Sequence, residues 1–180
     1  VEIREESRFD FERGTFSWVS RELSSKKIDR LKVISASIDD QNVPFGLGLN
    51  RVQISNNSIK WSFPKLKNES VKFGLDYIVD GAIFQTDDAD IFEYALLPNI
   101  HPYKIDSVRI TLDYKAFKGS LIGYRLLKGK ANLKTSDSSI VITNTEQLTK
   151  NESIHIQLLF HKGSLISLNP KWYALKLKAK

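Results

Sequence analysis

The chain has 180 residues, is 41% hydrophobic, carries a formal net charge of +6 and contains no cysteine. One folded domain fits that length and apolar content, while disulfides, thiolate metal sites and cysteine nucleophiles are excluded. No apolar run approaches the roughly eighteen residues of a membrane-spanning helix, and no basic start followed by an apolar tract marks a secretion signal.

Residues 1–11 place Val1, Ile3, Phe9 and Phe11 on one side of a strand and Glu2, Arg4, Glu6, Arg8 and Asp10 on the other, the alternation of a half-buried strand. Arg13-Gly14 reverses the chain into TFSWVSREL. Polar SSKK then separates that strand from IDRLKVISASI, where Ile28, Val33, Ile34 and Ile38 favour a third. Residues 39–50, with Asp39-Asp40, Pro44, Gly46 and Gly48, read as a loop. Val52 and Ile54 lead through Asn56-Asn57 to Ile59, Trp61 and Phe63, a hairpin whose Asn pair tolerates left-handed backbone angles. Pro64 ends the second strand or sets its end at a sheet edge.

Over residues 69–97, Val71, Phe73, Leu75, Tyr77 and Val79 share one strand face. Asp80-Gly81 and the acids Asp87, Asp88 and Asp90 turn the chain around two shorter extended segments, 82–85 and 90–97. Residues 93–97 offer at most one helical turn. Pro98, His101 and Pro102 interrupt, and Val108, Ile110, Leu112 and Tyr114 resume the alternation. Further strands are expected around 121–127, 131–135, 139–143 and 153–161. Amphipathic runs of helical length are missing, so the expected fold is all-β, a multi-stranded antiparallel β-sandwich. A single domain is expected over 1–168. Residues 169–180, after Asn169-Pro170, are expected to form a terminal edge strand or a linker toward a missing segment.

Chemistry is sparsely signalled. Asp87, Asp88, Asp90 and Glu93 are the candidate metal ligands, supplying oxygens of the kind calcium or magnesium takes. Their spacing lacks the full EF-hand pattern, and a solvated acidic turn explains them without a metal; no other cofactor is expected. The same carboxylates are the candidates for acid/base chemistry, which needs a cleft and a controlled separation. His155 and His161 would share a strand face with Gln157 but lie roughly 20 Å apart, too far to bind one metal together. Trp18, Trp61, Trp172, Tyr94 and Tyr103 are candidate ligand-facing aromatics, with Trp61 assigned to the core beside Ile59 and Phe63. Three glycosylation-type triplets begin at Asn56, Asn68 and Asn151, where turn chemistry alone also favours Asn.

Residues 115–180 hold 12 basic and only 3 acidic side chains, so the positive charge belongs to the second part of the chain. Such a face suits an anionic membrane surface or an acidic protein. Nucleic acid is an unlikely partner, because no dense basic stripe is interleaved with aromatics and no helix-turn-helix pattern occurs.

The stretch YIVDGAIFQTDDADIFEYALLPNIHPYKIDSVRITLDY, with Tyr77, Gly81, Asp87-Asp88-Ala89-Asp90, Phe92, Tyr94 and Ile105 through Leu112, resembles the amino-terminal extracytoplasmic region of the DUF2207 family of predicted bacterial membrane proteins. VEIREESRFDFERGTFSWVSREL, with Gly14 and Arg21, resembles the family's early strand, turn and Arg-bearing segment, and the likeness extends to about residue 161. Tyr94 stands where the family commonly has Trp, and Pro98-Asn99-Ile100-His101-Pro102 replaces a more typical turn. The resemblance implies an extracytoplasmic interaction or scaffolding domain, attached to a bacterial membrane through a segment outside this chain, with no catalytic residue to carry over. The opening Val, in place of Met, agrees with a segment whose signal or anchor lies elsewhere. The expected partner is a cell-envelope protein or other envelope component. A noncatalytic domain is favoured, with a carbohydrate-binding or hydrolytic β-sandwich domain as the alternative.

Overall fold

The computed structural model describes residues 1–11, 14–24, 26–97, 104–114, 119–166 and 168–178. The strands are β1 (Glu2–Asp10), β2 (Phe16–Glu22), β3 (Arg30–Ile38), β4 (Gln41–Asn42), β5 (Arg51–Ser55), β6 (Ser58–Leu66) and β7 (Ser70–Asp80). They continue with β8 (Ile83–Gln85), β9 (Ala89–Leu97), β10 (Ser107–Asp113), β11 (Leu121–Lys128), β12 (Ala131–Thr135), β13 (Ser139–Asn144) and β14 (Ile154–His161), followed by helix α1 (Lys171–Lys178).

Three antiparallel sheets result. Seven strands in the order β12-β13-β10-β1-β7-β3-β4 make one layer, faced by a four-stranded sheet, β11-β14-β9-β8, and a three-stranded sheet, β2-β6-β5. The period-2 pattern decides which face turns inward: Val71, Phe73, Leu75, Tyr77 and Val79 are all buried along β7, and Val108, Ile110 and Leu112 along β10. One hydrophobic core joins the layers. Phe73 sits among Phe9, Phe11, Trp61 and Phe63, with ring centroids 5.6–6.5 Å away, and Tyr114 meets Phe160 edge-on at 5.7 Å. Such offset and edge contacts add to the burial of large rings.

Local departures from the sequence expectation have identifiable causes. β6 runs past Pro64 to Leu66, but β5 pairs with it only as far as Ser62, so Pro64 falls where the end of β6 is an edge toward β5. On the other side the β2–β6 pairing skips from Phe16↔Leu66 to Trp18↔Ser62, and this irregularity takes in the residue that lacks a donor. Ile34 lies in β3 as expected, at a similar break in the β3–β7 ladder, and is exposed. Residues 93–97 continue β9 as strand, not a helical turn. Residues 171–178 form α1, not a strand: Ala, Leu and Lys are good helix formers, and the amides of Tyr173 and Ala174 donate to the Pro170 carbonyl to start the turn. The interruption at Pro98, His101 and Pro102, and Tyr103 with it, lies outside the described residues.

Asn56, Asn68 and Asn151 all adopt left-handed backbone angles, with φ of 53°, 55° and 64°. Asn tolerates that region better than most residues, so local conformation accounts for Asn at each triplet.

Candidate functional site

The four acids singled out in the sequence divide among three settings. Asp87 and Asp88 are exposed at the β8–β9 turn, where the Asp87 carbonyl accepts a hydrogen bond from Lys162 Nζ at 2.9 Å. Asp90 and Glu93 stand three residues apart on β9, an odd separation that puts them on opposite faces. Among the described residues no group of three or more His, Asp or Glu is gathered to hold a metal ion.

Asp90 faces inward at the start of β9 and is fully buried. Its carboxylate accepts from Gln85 Nε2 at 2.9 Å and from the amides of Gly163, Leu165 and Ile166 at 3.0, 2.8 and 3.3 Å. Burial works against its charge, but the Gln85 and backbone donors outweigh it and hold the carboxyl below its ordinary range. Asp90 thereby fixes the path of the segment after β14, about seventy residues further along the chain. That segment is tied down again where Asn169 Oδ1 accepts from the Gln85 amide at 2.6 Å and where Trp172 Nε1 donates to the Gly81 carbonyl at 2.7 Å. Tyr173 stacks on Phe84 at 4.7 Å. Residues 162–166 and 168–173 thus form a strap across the mouth of the sandwich.

Under the strap lies a cleft of about 420 Å³, between the seven- and four-stranded sheets. Its interior is apolar, built from Val79, Ala82, Phe92, Leu112, Phe160 and Leu165, and Asp29, Asp80, Asp113 and Asn169 add polar groups. Gly81, with φ of 74°, lets the wall turn there: a Cβ would stand 2.7 Å from the Asp29 backbone. An apolar hollow with a few converging polar groups is the usual form of a binding site.

Glu93 belongs to a separate cluster on the outer face of the four-stranded sheet. It pairs with Lys27, accepts from Gln157 Nε2 at 3.3 Å and lies 3.8 Å from His155 Nε2. Burial opposes the Glu93 charge, yet Lys27 and the other partners lower its pKa; for His155 burial dominates and lowers the pKa despite Glu93. His161, at the other end of β14, is exposed.

A third charged group went unread in the sequence. Glu5 and Arg21, both buried, form a two-pronged ion pair: Arg21 Nε to Glu5 Oε1 at 2.7 Å and Nη2 to Oε2 at 3.0 Å. Arg21 also donates to the carbonyls of Glu22 and Leu96, so this one side chain joins β2, β1 and β9, a strand from each sheet. Burial works against the guanidinium charge, and Glu5 more than offsets it, raising the pKa. Burial also raises the pKa of Tyr77 and Tyr94 beside the pair. The readable signal was parity: Glu5 and Ser7 share the inward register of Ile3 and Phe9, and Arg21 shares that of Val19 and Leu23.

Among the aromatic candidates, Trp61 is in the core, Trp172 is partly covered at the strap, and Trp18 is exposed.

The scaffold is an all-β, sandwich-like domain of three antiparallel sheets with a strapped cleft at one end. The family model described as the N-terminal domain of a predicted membrane protein (DUF2207) matches residues 1–160, and the chain belongs to this family. No curated protein and no solved structure matches it. Among the described residues no helix is long and apolar enough to cross a membrane.

Proposed function

We propose that this chain is a noncatalytic interaction domain on the extracytoplasmic face of its membrane protein, and that the strapped cleft is where it takes an envelope partner. The cleft carries this reading: its apolar interior suits a buried side chain, and the acidic residues Asp29, Asp80 and Asp113 in its lining suit a basic or amide-rich segment around that side chain. A segment of an envelope protein with an apolar anchor flanked by Lys, Arg or free backbone amides has the matching chemistry. The perturbed carboxylates nearest the cleft support binding over hydrolysis, since Asp90 is consumed in holding the strap and Glu93 points to the opposite face.

The test exploits the absence of cysteine in the chain. Leu168, a lining residue of the cleft that is 85% exposed, is replaced by Cys in a cysteine-free version of the full membrane protein. An impermeant maleimide should label it in intact cells, and a photo-crosslinking residue at the same position should capture an envelope protein. Labelling only after permeabilisation would refute the extracytoplasmic placement. Crosslinking that persists unchanged when Leu165→Glu fills the cleft with charge would refute the cleft.

A further inference from the structure

A concentration of exposed apolar side chains lies at the other end of the molecule. In the loop between β4 and β5, Phe45 is 44% exposed, Leu47 77% and Leu49 65%. The loop is braced: the Val52 amide donates to the Pro44 carbonyl at 3.0 Å and the Gly46 amide to the Val52 carbonyl at 2.9 Å. Gly46 and Gly48, with φ of 138° and 115°, supply angles that L side chains rarely adopt. A Cβ on either would lie 3.5–3.7 Å from the Arg51 side chain. The two backbone hydrogen bonds hold the loop, and the Arg51 side chain passes beside both glycines while the apolar side chains stand in solvent.

These side chains have company. Arg51 pairs with Ser62, and Ser62 with Trp18, across the three-stranded sheet, so the loop stands at the same end of that sheet as Phe16 (38% exposed) and Trp18 (52%). Lys60 Nζ lies 4.9 Å from the Trp18 ring centroid. Lys104 and Asp10 line the hollow of about 320 Å³ that Phe16 and Trp18 share. A soluble surface does not normally gather large apolar groups in this way. An exposed Trp under a Lys, beside Phe and Leu on a turn, is the composition of a membrane-interface anchor, where rings sit at headgroup level and amines meet phosphate.

We propose that this end of the sandwich is a lipid-contacting tip: Phe45, Leu47 and Leu49 enter the acyl boundary of the bilayer, and Trp18 with Lys60 lies at the headgroups. The family's description as the N-terminal domain of a membrane protein puts a bilayer within reach of the domain. The tip is independent of the reading given to the cleft.

The experiment uses the 180-residue chain with vesicles of phosphatidylcholine alone and of phosphatidylcholine with 30% phosphatidylglycerol. Binding to the anionic vesicles is expected, with Trp emission shifted to the blue and quenched by acyl-chain bromine, and the quenched component is lost in Trp18→Phe. Combined Leu47→Ser and Leu49→Ser should weaken partitioning at least about tenfold while leaving the circular dichroism and melting midpoint unchanged. Three results would each overturn the tip. The chain ignores both vesicles; the double variant, still folded, binds as well as the parent; or sedimentation without lipid shows self-association that the double variant abolishes, making the loop a contact between copies.

Discussion

Where β1 starts, a buried carboxylate holds a strap over an apolar cleft; where β1 ends, roughly 25 Å away along the strand, large apolar side chains stand uncovered on a turn. Both ends face the same problem, a sandwich mouth with more apolar surface than its strands cover. At the first the chain returns to cover it, using Asp90, Asn169 and Trp172 as ties. At the second the loop is braced by backbone hydrogen bonds between Pro44, Gly46 and Val52 and left open. The contrast separates an end that encloses a ligand-sized space from one that presents side chains outward. Midway between them, Arg21 and Glu5 fasten the three sheets together.

The largest effect is expected midway. Arg21→Met leaves Glu5 buried without its partner and should destabilise the fold by about 3–5 kcal/mol in urea unfolding. Adding Glu5→Leu should recover most of that loss, because a well-packed apolar pair matches or exceeds a buried ion pair. If Arg21→Met alone costs less than about 1 kcal/mol, the apolar core and not the ion pair joins the three sheets.

Next comes the strap. Asp90→Ala strands three backbone amides and should cost about 2–3 kcal/mol. Faster amide exchange should be confined to residues 163–173 and spare the loop at 43–51. Equal acceleration at both ends would abolish the distinction between them.

Acid should act on the same tie. The folded pKa of Asp90 lies below its ordinary value, so the ionised group contributes stability that is fully present above about pH 4 and lost as pH falls through the lower folded value. Glu93 has the same sign. Stability measured from pH 6 down to pH 2.5 should therefore drop, and Asp90→Asn should flatten the Asp90 share of that drop while starting from a lower plateau. An unchanged slope in the variant would show that the carboxylate is not the strap's acid-sensitive tie.

Much of this frame was legible in the chain. Alternation alone located β1, β7 and β10 with their inward residues, because one buried face fixes the parity of a strand. The same rule held information about charge: Glu5 and Arg21 sit in apolar registers, and Asp90 and Glu93, three apart, oppose each other across β9. What alternation does not encode is distance between strands. That three amides near residue 165 converge on Asp90 depends on the β9–β14 register and on the turn after His161. Helix α1 was obscured because its lysines break a strand pattern only imperfectly, while the contacts that fix it, Trp172 and Tyr173 on Phe84, come from a distant strand. The tip loop carried Gly and Pro, so it was read by its breakers and not by what Phe45, Leu47 and Leu49 leave exposed.

The smallest effect on stability is the most informative about the open end. Leu47 and Leu49 are more exposed than covered, so removing their two side chains deletes little surface that folding buries. The Leu47→Ser, Leu49→Ser variant should therefore unfold within about 0.5 kcal/mol of the parent, as surface substitutions do, while Asp90→Ala moves the other end by several times as much. A loss above about 2 kcal/mol would mean that the loop packs against the sandwich in solution, as the strap does. The apolar side chains would then belong to the fold, and the two ends would differ only in which segment covers them.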